Sequence, residues 1–321
     1  MNGAVRLLDL GEVSPLRSQA LYHGLAEGMD ESAPDTIVLC RPAAPYFCVG
    51  YHQAPRAELD LAWCRENGYP VIQRRIGGGT VYLDADQLFY QCVFHRSRAP
   101  FDVASIYRRF LTPPVRALQA LGLPATLEAI NEIEVGGRRI AGTGGGQIGE
   151  AVVVTGNILF DFDYDAMVRA WRVPSEAFRR LASEGLNRYL TTLRRELPAV
   201  PAPDEVARLL VAKYAEELDR PMLLGSLTPG EEEAVDRAEG ELADFPRVVE
   251  AERRLDRGLK IAREVYVREE EISTPAAPVR LVLRARDGMI EALVVDETAS
   301  FRDCPADTLG RLLSSFAQYH F

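Results

Sequence analysis

Lysine is almost missing from this chain. Of 37 basic residues in 321, only Lys213 and Lys260 are lysines; the rest are arginines. The first 197 residues contain none, so cationic chemistry there falls to arginine. Histidine is scarce, at positions 23, 52, 95 and 320. The five cysteines (Cys40, Cys48, Cys64, Cys92, Cys304) form no CxxC pair and no metal-ligand spacing. These counts point away from a zinc site. The odd, scattered thiols read as reduced and mostly buried, with Cys48 and Cys92 in the core. No stretch approaches the roughly 20 apolar residues of a membrane helix. The start, Met1-Asn2-Gly3-Ala4-Val5-Arg6, lacks the apolar segment of a secretory signal. The expectation is a soluble, cytoplasmic protein without membrane association.

Apolar residues are plentiful, at 47%, enough to fill one large core or two ordinary ones. The net charge of −10 is unevenly placed. Residues 1–197 carry 21 arginines against 22 acidic residues; residues 198–321 carry 16 basic against 25 acidic. The acidity lies in the C-terminal third, and no part of the chain reads as a nucleic-acid surface.

Period-2 and period-3.6 patterns order the elements. Val5–Leu10 reads as a strand. Ser14-Pro15 reads as a cap and first helical residue for a helix to about Met29. Strands come next at Thr36–Cys40 and Phe47–Tyr51, a short helix at Glu58–Asn67, then strands at Pro70–Gln73, Thr80–Leu83 and Gln87–Phe94. A long helix, Phe101–Leu121, precedes strands at Ala125–Ile130, Glu132–Val135, Arg139–Ala141 and Ala151–Phe160. Residues 163–195 read as helical with a turn near Pro174. Strands with inserted helices, without regular βαβ alternation, predict an α+β fold with a mixed sheet flanked by helices. The proline-rich 198–203 reads as a linker. Beyond it come helices at Glu205–Leu218 and Glu231–Leu242, a hairpin around Asp287-Gly288 between Val279–Arg286 and Met289–Asp296, and a closing helix at Ala306–Gln318. The expected division is a catalytic domain over 1–197, the linker, and a small acidic α+β accessory domain over 204–321.

Two glycine segments carry the chemistry. The first is Gln73-Arg74-Arg75-Ile76-Gly77-Gly78-Gly79-Thr80-Val81-Tyr82-Leu83-Asp84, and the second is Gly136-Gly137-Arg138-Arg139-Ile140-Ala141-Gly142-Thr143-Gly144-Gly145-Gly146. Arginine supplies a planar fork for phosphate or carboxylate, and glycine lets a backbone approach a ligand. Read as two loops, they suggest one pocket for an anionic, nucleotide-activated ligand. Neither fits a dinucleotide fingerprint, since no helix comes directly after it. Neither is a Walker loop, since no lysine and serine or threonine close it.

Gln73–Asp84 resembles the RRxSGGGxVxHD segment of lipoate–protein ligases, and Gly137–Gly142 resembles that family's GRKISG segment. Pro45–Gln53 is similar to the glycine-plus-glutamine strand upstream, and Gly156–Asp161 to the GTLLLD strand downstream. All four occur in the family's order. The resemblance implies the fold shared by biotin and lipoate ligases, a C-terminal accessory domain, and two steps. Lipoate (or octanoate) and ATP, with Mg²⁺ expected, give acyl-AMP and pyrophosphate. The acyl group then passes to a lysine of a lipoyl domain, in a 2-oxoacid dehydrogenase E2 or a glycine-cleavage H protein. Residue by residue, it places Arg139 at the catalytic position. Arg74 becomes the phosphate-contacting arginine, and Gly77, Gly78, Gly79, Thr80, Val81, Tyr82, Asn131 and Gly142 line the acyl-adenylate. Gly50, His52 and Asp84 are secondary candidates. Val49 and Val81 could line an apolar slot for the dithiolane tail. His52 as a general base stands against a structural strand histidine, and Asp161 and Asp163 as metal helpers against a solvated strand end. No metal ligands are assigned.

The chain departs from the pattern at four positions. Gln73 replaces the first arginine, Ile76 the serine, Leu83 the histidine and Arg139 the lysine. Arginine keeps the charge but is longer and planar. Either general drift toward arginine reached this position with binding retained, or Arg139 marks altered activity. Three alternatives stand beside a ligase. An acyl-carrier-dependent octanoyl or lipoyl transferase of the same fold would use a cysteine in the second half of the catalytic domain, yet no cysteine occurs between Cys92 and Cys304. A biotin ligase spaces its arginine-glycine loop differently. A lipoate-binding paralogue is motivated by Arg139.

Overall fold

The computed structural model describes residues 3–243, 258–272 and 279–295. The closing helix expected at 306–318 lies outside them. In chain order the elements are β1 (Val5–Val13), α1 (Pro15–Glu27), β2 (Thr36–Pro42), β3 (Tyr46–Val49), α2 (Pro55–Glu58), α3 (Leu61–Glu66), β4 (Val71–Gln73), β5 (Val81–Leu83) and β6 (Gln87–His95). After these come α4 (Val103–Ala120), β7 (Ala125–Glu128), β8 (Glu132–Val135), β9 (Arg138–Ile148), β10 (Ala151–Leu159), α5 (Tyr164–Ala170), α6 (Glu176–Tyr189) and α7 (Leu193–Glu196). The last are α8 (Pro203–Leu218), β11 (Met222–Leu224), α9 (Pro229–Ala243), β12 (Leu259–Ala262), β13 (Val265–Ile272), β14 (Val279–Arg286) and β15 (Met289–Val295). No helix among the described residues is long and apolar enough to cross a membrane.

Local chemistry sets several boundaries. Ser14 caps α1 by accepting from the Arg17 N–H at 3.1 Å, with Pro15 at the first helical position. Asp102 caps α4 through the Ser105 N–H at 2.9 Å.

An eight-stranded mixed sheet runs β11-β1-β2-β6-β10-β9-β8-β7, parallel across β11-β1-β2 and antiparallel from β2 to β7. A small sheet, β4-β3-β5, carries the first glycine segment between its outer strands. Central β6 is buried on both faces. Leu88, Tyr90, Cys92 and Phe94 pack with α4 and α8, while Phe89 and Val93 pack with α1, α9 and the small sheet. Cys48 and Cys92 lie in these cores as expected. At roughly 25 cal/mol per Å² of buried apolar area, these two layers supply the main stabilisation.

Helices α8 and α9 do not form a separate domain beyond a linker. The described residues of 1–163 and 191–249 form one compact unit, and those of 164–190 and 250–321 another. The reason is packing. Val206, Leu210 and Tyr214 of α8 are fully buried in the first unit's core. Pro114 in α4 lacks the N–H that would reach Phe110, and the Tyr214 hydroxyl donates to that Phe110 carbonyl at 3.0 Å instead. Strand β11 then extends the large sheet beside β1.

The second unit holds α5, α6 and the antiparallel meander β12-β13-β14-β15. Its Asp287-Gly288 turn has φ of +49° and +75°, the primed geometry expected of the hairpin.

Candidate active site

The first glycine segment is folded around its own arginine. Arg74, 8% exposed, donates from Nε and Nη2 to the Gly77 carbonyl at 3.2 and 3.0 Å, and from Nη2 to the Gly79 carbonyl at 2.8 Å. Its Nη1 reaches the Cys48 carbonyl at 3.4 Å. The arginine expected to face phosphate thus lies under the segment and holds its shape. Gly78 has φ of +110°, and a Cβ there would sit 2.4 Å from Arg74 Nη2. A Cβ on Gly50 would sit 1.9 Å from the Gly78 carbonyl oxygen. These two glycines are required by the fold. Gly77 and Gly79 are not, because a Cβ on either meets nothing within 4 Å.

Side chains from the motif upstream brace this arrangement. Gln53 accepts from the Gly50 N–H and from the Thr80 hydroxyl, each at 3.1 Å. Gln73, standing where the family has arginine, donates to the carbonyls of Tyr51 at 3.1 Å and Gln53 at 2.7 Å. A buried amide therefore fixes this turn.

The second glycine segment is not a loop. Gly136-Gly137, with φ of +57° and +74°, turns the β8–β9 hairpin, and Gly142–Gly146 lie within β9, paired with β10. Backbone pairing to Val153–Asn157 outweighs the low strand propensity of glycine. The missing side chains leave a bare surface that the first segment covers. A Cβ on Gly144 would lie 3.4 Å from Ile76 Cδ1 and 3.5 Å from the Gly77 carbonyl, and one on Gly146 would lie 3.6 Å from Ile76 Cγ2. Ile76, the family's serine position, is the contact between the two segments.

A buried amide relay joins them a second time. The Gly142 N–H donates to Asn157 Oδ1 at 2.8 Å, Asn157 Nδ2 donates to Gln87 Oε1, and Gln87 Nε2 donates to the Tyr82 carbonyl at 3.1 Å. Gln87 and Asn157 are nearly without exposure. Buried, hydrogen-bonded amides of this kind set the register of neighbouring strands. Asn157 lies in the Gly156–Asp161 segment but carries no role there, and no motif covers Gln87; the signal for Asn157 is its pairing with Gly142 across β9 and β10.

Arg139 projects from β9 into a two-pronged ion pair. Its Nε donates to Glu132 Oε2 at 2.6 Å, and its Nη2 donates to Glu132 Oε1. The side chains are 27% and 10% exposed. Glu132 carries no motif signal either; the hairpin turn at Gly136-Gly137 is what brings the two together. Beside Arg139, Arg138 pairs with Glu196 at 2.7 Å. Asn131 precedes Glu132, and its carbonyl accepts from the Thr143 hydroxyl at 2.5 Å.

The other candidates are more dispersed. Val49 is buried in β3, and Val81 is partly buried in β5. Tyr82 packs edge-on against Phe162, with centroids 5.6 Å apart. Asp84 accepts from the Asp86 N–H at 3.0 Å, and burial pushes its carboxyl from 3.8 up to about 6. His52 is exposed in a turn, edge-on to Tyr51. Asp161 pairs with Arg194 at 2.6 Å, and Asp163 is exposed.

The profile of the lipoyl protein ligase A/B catalytic domain matches residues 14–215. The octanoyltransferase LipM of Symbiobacterium thermophilum is 26% identical over 251 residues, covering 71% of this chain and 91% of that protein. Lipoate-protein ligase A subunit 1 of Thermoplasma acidophilum is 26% identical over 194 residues, 57% of this chain and 72% of that one. In three dimensions the chain is similar to a bi-partite lipoate protein ligase from Thermoplasma acidophilum, studied with its E2 lipoyl domain. The TM-score is 0.69 at 23% identity, over 75% of this chain and 93% of that one. It is also similar to a lipoate-protein ligase A bound with ATP, with a TM-score of 0.64 at 22% identity over 74% and 95% of the two chains. The two superpositions establish the α+β ligase fold.

Proposed function

The chain belongs to the lipoyl protein ligase A/B catalytic-domain family, and from that premise we propose that it is an ATP-dependent lipoate or octanoate protein ligase. The observation that carries this reading is the pair Gly77 and Gly79. Nothing within the fold requires a missing side chain at either position, and a Cβ there would point into open space. A ligand lying against the backbone explains both.

In the first step a carboxylate oxygen of the acid attacks the α-phosphorus of ATP, forming acyl-AMP and releasing pyrophosphate. In the second, an amine of the acceptor lysine attacks the acyl carbonyl, forming the amide and expelling AMP. In this reading Gly77–Thr80, Val81 and Tyr82 line the acyl-adenylate, while Arg74 and Gln73 hold that wall rigid. The Gln87–Asn157 relay keeps the Gly142 strand in register with it. Arg139 supplies the positive charge expected of the family's lysine, aimed by Glu132 rather than by its own flexibility. The acceptor is a lipoyl domain, the setting cytoplasmic, and a neighbour studied with its E2 lipoyl domain supports that choice.

Among the described residues, Glu132, Asp161 and Asp84 do not make a preformed Mg²⁺ site. Glu132 is committed to Arg139 and Asp161 to Arg194, and Asp84 is pushed toward its neutral form. No step is therefore assigned to protein-bound metal; Mg²⁺ would travel with the ATP phosphates.

An acyl-carrier-dependent octanoyltransferase is the second reading, favoured by the extent of the LipM match. It needs a thiolate nucleophile. Burial pushes Cys64 up to about 11 and Cys40 and Cys92 up to about 12, and none of these lies in the second half of the matched region. The test is purified protein with a lipoyl domain and either octanoate plus ATP or octanoyl-acyl carrier protein. Pyrophosphate release and a mass shift of the acceptor only with ATP are expected. A mass shift only with the acyl carrier would overturn the ligase reading. Acid bound without either product would mark a binding paralogue.

A further inference from the structure

Outside the glycine segments, a third cluster joins α1 to α9. His23 and Glu27 are four residues apart and share one face of α1. Glu241 approaches from α9, more than two hundred residues away in sequence. One ligand atom from each of the three lies within 4.8 Å of the others. It is the one such group of three or more potential metal-ligating side chains among the described residues.

His23 is unusual within this group. It is 5% exposed, and among the described residues neither ring nitrogen has a hydrogen-bond partner of acceptable geometry. Its Nε2 lies 3.1 Å from Glu27 Oε1. The ring thus gives up its solvation for one carboxylate contact, and Nδ1 has no partner among the described residues. An imidazole nitrogen with its lone pair free is a metal ligand.

We propose that His23, Glu27 and Glu241 bind a divalent first-row transition metal of the Zn²⁺ class. One imidazole nitrogen and two carboxylates form a suitable donor set, with water completing the coordination. Donors on one tetrahedral ion sit roughly 3.5 Å apart. The two exposed carboxylates need shifts on the order of 1 Å to close, within ordinary rotamer freedom. The present cation at the site is Arg75, whose Nη2 lies 2.7 Å from Glu241 Oε2. Arg237 stands farther off, 4.0 Å from Glu27 Oε2. A bound ion replaces Arg75 at Glu241 and pins α1 to α9. Because Arg75 adjoins Arg74, the site also touches the glycine segment, but its existence does not depend on the function proposed above.

The test is calorimetric titration of Zn²⁺ into the full chain, with Co²⁺ absorption as a second readout. One Zn²⁺ per chain is expected, with binding at least tenfold weaker in both His23→Gln and Glu241→Gln. Arg75→Gln, which removes the competing cation, should bind more tightly. If His23→Gln fails to fold, Glu241→Gln at an exposed position and Arg75→Gln decide the matter. Absence of stoichiometric binding, or binding unchanged in Glu241→Gln, would overturn the site.

Discussion

Arg139 and Glu132 clasp each other across the β8–β9 hairpin, guanidinium fork to carboxylate, with Nε 2.6 Å from Oε2. The clasp fixes the direction of the one cation at the family's lysine position. A double-mutant cycle of Glu132→Gln and Arg139→Gln, read by urea unfolding, should show about 1–2 kcal/mol of coupling for this half-buried pair. Additive losses would show that the pair contributes nothing. Lysine carries the charge without the fork, so Arg139→Lys should lower kcat/KM by about tenfold or more. A gain of activity would instead mark the arginine as a defect.

Gly77 and Gly79 separate binding from folding. Neither has the positive φ of Gly78, and a Cβ on either meets nothing within 4 Å. Gly77→Ala and Gly79→Ala should therefore leave the melting temperature within about 2 °C of the parent, a change under about 0.5 kcal/mol. The same variants should raise KM for ATP or for the acid severalfold. Gly78→Ala, forced against Arg74, should lose stability as well. Unchanged KM in both outer variants would remove the ligand surface from this segment.

Asp84 gives the fold a pH signature. Its carboxyl rises from 3.8 to about 6 through burial, so the folded state favours the protonated form. The stabilisation from this group is complete below the unfolded value and is lost as pH rises through about 6. Asp84→Asn stays neutral throughout. Relative to the variant, the parent should lose stability from about pH 4 to 7. Denaturation midpoints measured in parallel across that window check this, and two parallel curves would refute it.

Local patterns were legible in the sequence because their causes are local. The Ser14-Pro15 helix start, the Asp287-Gly288 hairpin and the apolar run of β6 each rest on a few neighbouring residues, and each is where the pattern puts it. The glycines of β9 read as a loop because glycine carries no strand signal of its own; the pairing partner Val153–Asn157 decides. The proline run at 198–203 has the composition of a domain boundary. Helices α8 and α9 beyond it are instead bound to the first unit by Tyr214 and Val235, contacts no local pattern displays. At the site, the RRIGGG-type segment announced itself. Its partners Glu132, Gln87 and Asn157 did not, since each matters only through a strand register.

One close approach between α1 and α9 tests the first unit's extent. On α1, a Cβ at Gly24 would stand 2.7 Å from the Val235 backbone nitrogen and 2.8 Å from its Cα on α9. Backbone cannot yield as a flexible side chain does, so Gly24→Ala must push α9 away from α1. Such overpacking costs about 1–3 kcal/mol. Gly28, at the end of the same helix with φ of −87°, offers a control, because its nearest neighbour to a Cβ is 3.9 Å away. Gly28→Ala should be neutral or slightly stabilising, by up to about 1 kcal/mol. If α9 were only loosely tethered beyond a linker, both variants would unfold alike. A loss confined to Gly24→Ala, with faster proteolysis between residues 219 and 243, would show that α9 is part of the first unit's cooperative core.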